Sequence, residues 1–286
     1  MTELAARRSS RTRARVRVVE EGRAVAVRTD EVATEEPMET RLAVHGQVRS
    51  VAVTMRTPGA DFELAAGFLH GEGILTTGDQ VARITYCVDP EVDADQRYNI
   101  VNVEVRGHVD AELRHLDRNS YVNSACGVCG KASIDALRVR AGGPLLDGAP
   151  RVTEEVIRGL PASLRQGQGL FDRTGGLHAA ALFTPGGRLL VLREDVGRHN
   201  AVDKVVGWGL LNGRLPFSDS VLLVSGRTSY EILQKAVAAG IPVVCAISAP
   251  SSLAVDVATE FGVTLVGFLR GGRFNVYSGD ARVVTG

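Results

Sequence analysis

The chain has 286 residues, 33 basic and 33 acidic side chains, and 44% apolar residues. That size and apolar content suit one large domain or a domain with an appended lobe, and exclude a disordered chain. The balanced charge gives no global field for nucleic acid or an anionic membrane surface, and no apolar run reaches the ~20 residues of a membrane span.

The first 14 residues are rich in arginine and read as a flexible basic tail. Arg7-Arg8 is not followed by an apolar segment, so neither a secretory nor a twin-arginine signal is expected. Residues 15–57 carry four valine-rich, partly alternating runs (RVRVVE, AVAVRT, RLAVHG, SVAVTM) that predict strands, with His45-Gly46 at a turn. Pro58-Gly59 breaks this pattern. Phe62, Leu64, Ala65, Phe68 and Leu69 then recur at helical spacing. Residues 81–88 and 98–106 return to strand composition around an acidic loop. NSACGVCG (123–130) is a loop that leads into a short helix from Lys131, residues 141–150 form a connector, and 152–165 a helix. From about residue 174 short unbroken apolar runs (LLVLR, SVLLVS, PVVCAIS, VTLVGF) alternate with helical segments at 195–211, 228–239 and 251–261. That alternation predicts βαβ units and a largely parallel sheet. The chain thus reads as a β-rich lobe over 15–140, ending in the cysteine loop, and an α/β domain over 141–286.

Four cysteines in a chain of this length do not make a disulfide framework. Cys87 and Cys245 lie in apolar strand-like runs and read as buried structural thiols. Cys126-Gly-Val-Cys129 is the one chemical motif among them. Glycines flank it, and helix onset beside Lys131 favours the nucleophilic thiolate. Spacing alone leaves open a zinc half-site, disulfide exchange, a sulfur shuttle, or a plain structural loop. Thr174-Gly-Gly-Leu-His178-Ala-Ala180 is similar to the His-x-Glu element of zinc deaminases, but Ala180 stands where the proton-shuttling glutamate belongs and the cysteines precede the histidine. His178 is then either a third metal ligand or a satisfied polar residue on an apolar helix face.

Ligands of α/β sheets sit beyond the carboxyl ends of parallel strands, and here those ends are polar. They read Arg193-Glu-Asp-Val-Gly-Arg198-His199-Asn200, Ser225-Gly-Arg227-Thr228-Ser229 and Ser248-Ala-Pro-Ser-Ser252. Each precedes a predicted helix whose free N–H groups favour an anion. Thr228 with Glu231 fits a capping box, and Asp195 fits an N-cap. Arg227 is not needed for a cap and suits a phosphate. His199 lies on or beside an apolar helical stripe and reads equally as a buried, hydrogen-bonded histidine or a site residue. Gly271-Gly272 signals a two-residue hairpin that would set Arg270 opposite Arg273, either as a clamp for a pyrophosphate or guanine or as a solubilised turn. No dinucleotide or Walker fingerprint supports NAD or ATP.

In this order NSACGVCG, TGGLHAAALF, REDVGRHNAVDKVVGW, VSGRTSYEILQKA, ISAPSSLAVDVA and VGFLRGGRFNVYS resemble the FdhD family of formate dehydrogenase accessory proteins, over roughly residues 38–278. The resemblance implies a cytidine-deaminase-like three-layer α/β fold, a dimer, and a cytoplasmic sulfurtransferase. Such a protein takes sulfur from a cysteine desulfurase and passes it to molybdenum held by bis(molybdopterin guanine dinucleotide), the cofactor of formate dehydrogenase. It makes Cys126 the persulfide carrier and Cys129 its helper, with no permanent metal. Phe268, Leu269, Arg270, Gly271, Gly272 and Arg273 match the family's cofactor-contacting stretch, and Ser225, Arg227, Thr228, Arg198 and His199 complete the expected pocket. A zinc-dependent, deaminase-like hydrolase and a non-catalytic cofactor chaperone are the alternatives.

Overall fold

The computed structural model describes residues 9–22, 26–106, 137, 145 and 148–285. Cys126, Cys129, the helix expected from Lys131 and most of the 141–150 connector lie outside the described residues.

β1 (Arg11–Val18) pairs antiparallel with β2 (Ala26–Ala33). The strand begins inside the segment whose arginine content reads as a tail, because ladder hydrogen bonds come from the backbone and exposed arginines cost them nothing. β3 (Glu36–Val44) and β4 (Gln47–Arg56) form a hairpin. Its two loop residues, His45 and Gly46, both have positive φ (48° and 80°), as the favoured tight hairpin turn requires. β5 (Val81–Tyr86) and β6 (Ile100–Val105) complete a four-stranded sheet in the order β4-β3-β6-β5. One face is covered by helix α1 (Asp61–Gly71), whose Leu64, Ala65 and Leu69 pack with Met38, Leu42, Val101 and Val103.

The second half is built on a six-stranded sheet. Short β7 (Val152–Thr153) leads into α2 (Glu154–Gly167) and α3 (Gly169–Thr174). Then follow β8 (His178–Phe183), β9 (Leu189–Asp195), α4 (Arg198–Leu211), β10 (Val221–Val224), α5 (Tyr230–Ala238), β11 (Val243–Ala246), α6 (Ser252–Glu260), β12 (Thr264–Arg270) and β13 (Arg273–Ser278). Finally β14 (Val283–Val284) pairs with β7. The sheet order is β13-β12-β11-β10-β8-β9. Only β10, β11 and β12 are parallel; β8, β9 and β13 run antiparallel to their neighbours, so the sheet is mixed rather than largely parallel. The reason is local: the β8–β9 and β12–β13 links are too short for a crossover and must turn back as hairpins.

Both faces of this sheet are dry. Ala179, Ala181, Phe183, Leu223 and Cys245 face Ile157, Leu160 and Leu164 of α2. Ala180, Leu182, Leu222, Val224 and Val244 face Val202, Val206, Ile232, Ala236 and Val257 of α4, α5 and α6. Helices therefore lie on both faces in three layers, which explains why the strand sequences are apolar without alternation. Each fully buried aliphatic side chain contributes about 1.5–3 kcal/mol relative to exposure. Leu137, N-terminal to the 141–286 segment, is also buried in this core. The two lobes meet where α1 crosses α4 at Gly67 and Gly207, and the Arg193–Glu63 ion pair (2.7 Å) joins them beside that crossing.

Candidate functional site

Because β8 runs antiparallel to β10, the start of β8 and the end of β9 lie on the same rim as the carboxyl ends of β10, β11 and β12. That rim gathers most of the polar residues marked by the sequence.

Asp195 anchors it. Rather than capping α4, whose N-cap is Gly197, Asp195 is fully buried at the end of β9. Its Oδ2 lies 2.6 Å from Lys204 Nζ and accepts from the Thr57 N–H; its Oδ1 accepts from the Gly197 N–H (2.8 Å) and Asn200 Nδ2 (2.9 Å). A buried carboxylate persists only when so paired, and this one uses all its bonds to fix the turn into α4. Lys204 also donates to the Thr57 carbonyl (3.0 Å), tying the rim to the β-rich lobe.

His178 opens β8 opposite Asp195, not on a helix. It is half-buried beside Gly226, where a Cβ would lie 3.3 Å from His178 Nδ1 and 3.7 Å from the Arg198 Cβ. Burial, with the charges of Arg198 and His199, holds the His178 imidazole below the ordinary histidine range. Arg198 Nε is buried and has no hydrogen-bond partner among the described residues. Ser225 is structural: its Oγ accepts from the Ala179 N–H (2.9 Å), and its own N–H donates to the Ala179 carbonyl.

Thr228 does not form the expected capping box. Ser229 is the N-cap of α5, and Thr228 is buried, with Oγ1 unpartnered among the described residues. Its backbone bonds to Ala249 and Ser251, stitching the loop after β10 to the loop after β11. Ser251, by contrast, does cap α6, accepting from the Ala254 N–H (3.2 Å). Arg227 is exposed at the tip of its loop.

The β12–β13 hairpin closes on Gly271 and Gly272, both with positive φ, and pairs Arg270 with Arg273 as the sequence predicts. Both arginines are exposed without a carboxylate partner among the described residues. Phe268 sits at φ 52°, a strained position for a non-glycine residue, inside a register shift; its N–H donates to the Ser248 carbonyl (3.0 Å) and its ring lies under the Arg270 guanidinium. Leu269 departs from the expected ligand set: the bulge turns it inward, where it is buried in the core against α2.

Cys87 and Cys245 are free and buried, and burial pushes the Cys245 thiol up to about 12, so it is no nucleophile. Ala180 is fully buried against α4, so no proton shuttle stands at the position where a deaminase needs one. Among the described residues no helix is long and apolar enough to cross a membrane.

Sequence reading passed over Ser229 and the role of Glu231. Ser229 Oγ lies 3.1 Å from His199 Nε2, and Glu231 Oε2 lies 2.9 Å from His199 Nδ1. The contact with His199 holds the Glu231 carboxyl below its usual range despite burial. The i, i+2 spacing of Ser229 and Glu231 gives no sign of this, because the histidine arrives from a different helix.

The arrangement is that of a three-layer α/β protein whose strand-end rim offers arginines without a carboxylate partner among the described residues, helix N-termini and buried polar groups suited to an anionic ligand. The sequence matches the model of the FdhD/NarQ family over residues 37–284, and the chain belongs to that family. It is 56% identical over 261 residues to the sulfur carrier protein FdhD of Streptomyces coelicolor, covering 91% of each chain. Identity to the protein of the same name in Nocardia farcinica is 49% over 276 residues and 96% of each chain. With that of Sulfurisphaera tokodaii it is 46% over 259 residues, 91% of this chain and 94% of the other. The fold is similar to the crystal structure of a putative formate dehydrogenase accessory protein from Desulfotalea psychrophila, with a TM-score of 0.72 at 26% identity, covering 96% of this chain and 99% of that one.

Proposed function

We propose that this chain is a sulfur carrier serving formate dehydrogenase. The observation that carries the reading is the family match over residues 37–284, which spans both the Cys126–Cys129 pair and the whole strand-end rim, together with relatives named as sulfur carriers. In this reading the Cys126 thiolate attacks the outer sulfur of a persulfide on a cysteine desulfurase. A persulfide forms on Cys126 and the donor's thiolate leaves. Attack of the Cys129 thiolate on the Cys126 sulfur then forms a Cys126–Cys129 disulfide and releases the outer sulfur as sulfide to molybdenum in bis(molybdopterin guanine dinucleotide), the substrate that accepts it.

The rim residues suit such an acceptor. Two pyrophosphates and two guanines demand cations and N–H donors, and Arg198, Arg227, Arg270 and Arg273 supply planar forks of the kind that hold phosphates. Phe268 presents a half-buried aromatic ring beside Arg270. His199, in the first turn of α4, and Thr228 stand at the same rim, and Ser225 ties the end of β10 to the start of β8. We place the protein in the cytoplasm as a homodimer, each copy offering one pocket to half of the cofactor.

Activation of formate dehydrogenase in cells lacking the native carrier tests the reading. Wild-type protein is expected to restore activity and Cys126→Ala to abolish it while remaining folded. Full activation by Cys126→Ala refutes sulfur carriage and leaves a chaperone role.

A further inference from the structure

The contacts around His199 have a form that neither sulfur carriage nor anion binding requires. Ser229 Oγ is 3.1 Å from His199 Nε2, and the opposite ring nitrogen, Nδ1, is 2.9 Å from Glu231 Oε2. Hydroxyl, imidazole and carboxylate follow one another through the two different ring nitrogens. In a neutral ring, this connectivity puts the proton on Nδ1 and the lone pair toward the serine hydroxyl.

Three further observations bear on chemistry. Serine is among the best N-cap residues, yet Ser229 makes no side-chain cap to α5, although it occupies the cap position. Its hydroxyl is given to His199, and the first-turn N–H groups of α5 are left uncapped by it. Ser229 also lies in a strand–turn–helix connection, β10 to α5, at the carboxyl edge of a parallel strand. A nucleophile there faces outward from the sheet with helix N–H groups beside it, the setting in which an oxyanion is stabilised. Finally, the group is open: the side chains of His199 and Glu231 are 20% and 39% exposed.

We infer that Ser229, His199 and Glu231 form a nucleophilic relay able to cleave small activated carboxylic esters. His199 Nε2 takes the Ser229 proton as Oγ bonds to the acyl carbon. The carbon–alkoxy bond then breaks, and the alcohol leaves with that proton. Water, deprotonated by the same nitrogen, releases the carboxylic acid and restores Ser229. Glu231 stays ionised and holds the ring in its tautomer. Arg198, beside His199 at the head of α4, and Arg227, on the loop that leads to Ser229, favour esters that carry an anionic group.

Intact-protein and peptide mass spectrometry of the full chain after treatment with a fluorophosphonate probe, alongside p-nitrophenyl acetate turnover, tests this. One phosphonyl group on the Ser229 peptide is expected, with Ser229→Ala unlabelled and His199→Gln slowed on the order of 100-fold in both assays. Glu231→Gln should fall between His199→Gln and wild type, and Ser163→Ala, on α2, should match wild type. Cys126→Ala should label fully, which separates this relay from sulfur carriage. Absence of label on wild-type protein, or equal labelling of folded Ser229→Ala, overturns the inference, and the wild-type arm needs no variant to fold.

Discussion

Gly67 of α1 and Gly207 of α4 face each other at the crossing that joins the two lobes. A Cβ on Gly67 would fall 1.9 Å from the Asp203 carbonyl oxygen, and one on Gly207 would fall 1.8 Å from the Glu63 carbonyl oxygen. Backbone thus meets backbone at this point, and the crossing holds α4, with Arg198 and His199 at its head, against the β-rich lobe.

Gly207→Ala replaces a helix-interior glycine, a change that gains about 1 kcal/mol in an isolated helix. Here the methyl group has no space, and forced separation of the helices costs at least the roughly 1–3 kcal/mol of core overpacking. The expected outcome of urea unfolding is net destabilisation despite the better helix former, with Gly67→Ala behaving likewise.

Asp195 and Lys204 form a buried pair at 2.6 Å whose bonds also hold Thr57, Gly197 and Asn200. Removal of one partner strands the other charge in the interior, so Asp195→Asn or Lys204→Met should each cost about 3–5 kcal/mol. The double variant should lose less than the sum of the two, since it strands neither charge. Chemical denaturation of the three variants measures this coupling directly.

Arg270 and Arg273 stand opposite each other on the hairpin, free of carboxylates among the described residues. If they clamp a pyrophosphate or guanine, replacing both with alanine should weaken guanine-nucleotide binding by roughly 2–5 kcal/mol while leaving the thermal midpoint unchanged. Unchanged affinity in calorimetry would reduce the hairpin to a solubilised turn.

If the nucleotide's phosphate lies beside His178, its binding should be sensitive to pH. The folded His178 imidazole is held below the ordinary value by burial and by Arg198 and His199, with Asp195 opposing them. The unfolded chain therefore binds the proton more readily. Stability from this residue is present above an unfolded pKa of about 6.5 and is lost as pH falls through the lowered folded value. A phosphate group beside the ring works the other way, raising the histidine's pKa and drawing a proton in with the ligand. Guanine-nucleotide affinity should thus rise as pH falls toward the lowered value of the free folded protein, with proton uptake visible as a dependence of calorimetric heat on buffer. Both effects should vanish in His178→Gln.

Much of this architecture was legible in the sequence. Strands and helices of the second half follow from apolar runs whose ends are marked by Ser, Gly and Pro, and the Gly271-Gly272 turn fixes the pairing of Arg270 with Arg273. The mixed sheet was hidden, since an apolar run buried on both faces looks the same in either direction. Asp195 and Thr228 both have the composition of a cap, but Lys204 claims the Asp195 carboxylate, and the backbone of Thr228 is bonded to the loop after β11 while Ser229 takes the cap position. Leu269 was assigned to the pocket as part of a contiguous motif, whereas the bulge at Phe268 sends it into the core. The link between Ser229 and Glu231 is not legible in the sequence because His199, which joins them, lies 30 residues from Ser229.

Mass spectrometry of the chain after incubation with a cysteine desulfurase and cysteine tests sulfur carriage most directly. Wild-type protein is expected to gain the mass of one sulfur atom on the peptide containing Cys126, lost on treatment with a thiol reductant and absent from Cys126→Ala. A wild-type chain that leaves this reaction with no added sulfur, or an equal gain on Cys126→Ala, would contradict it.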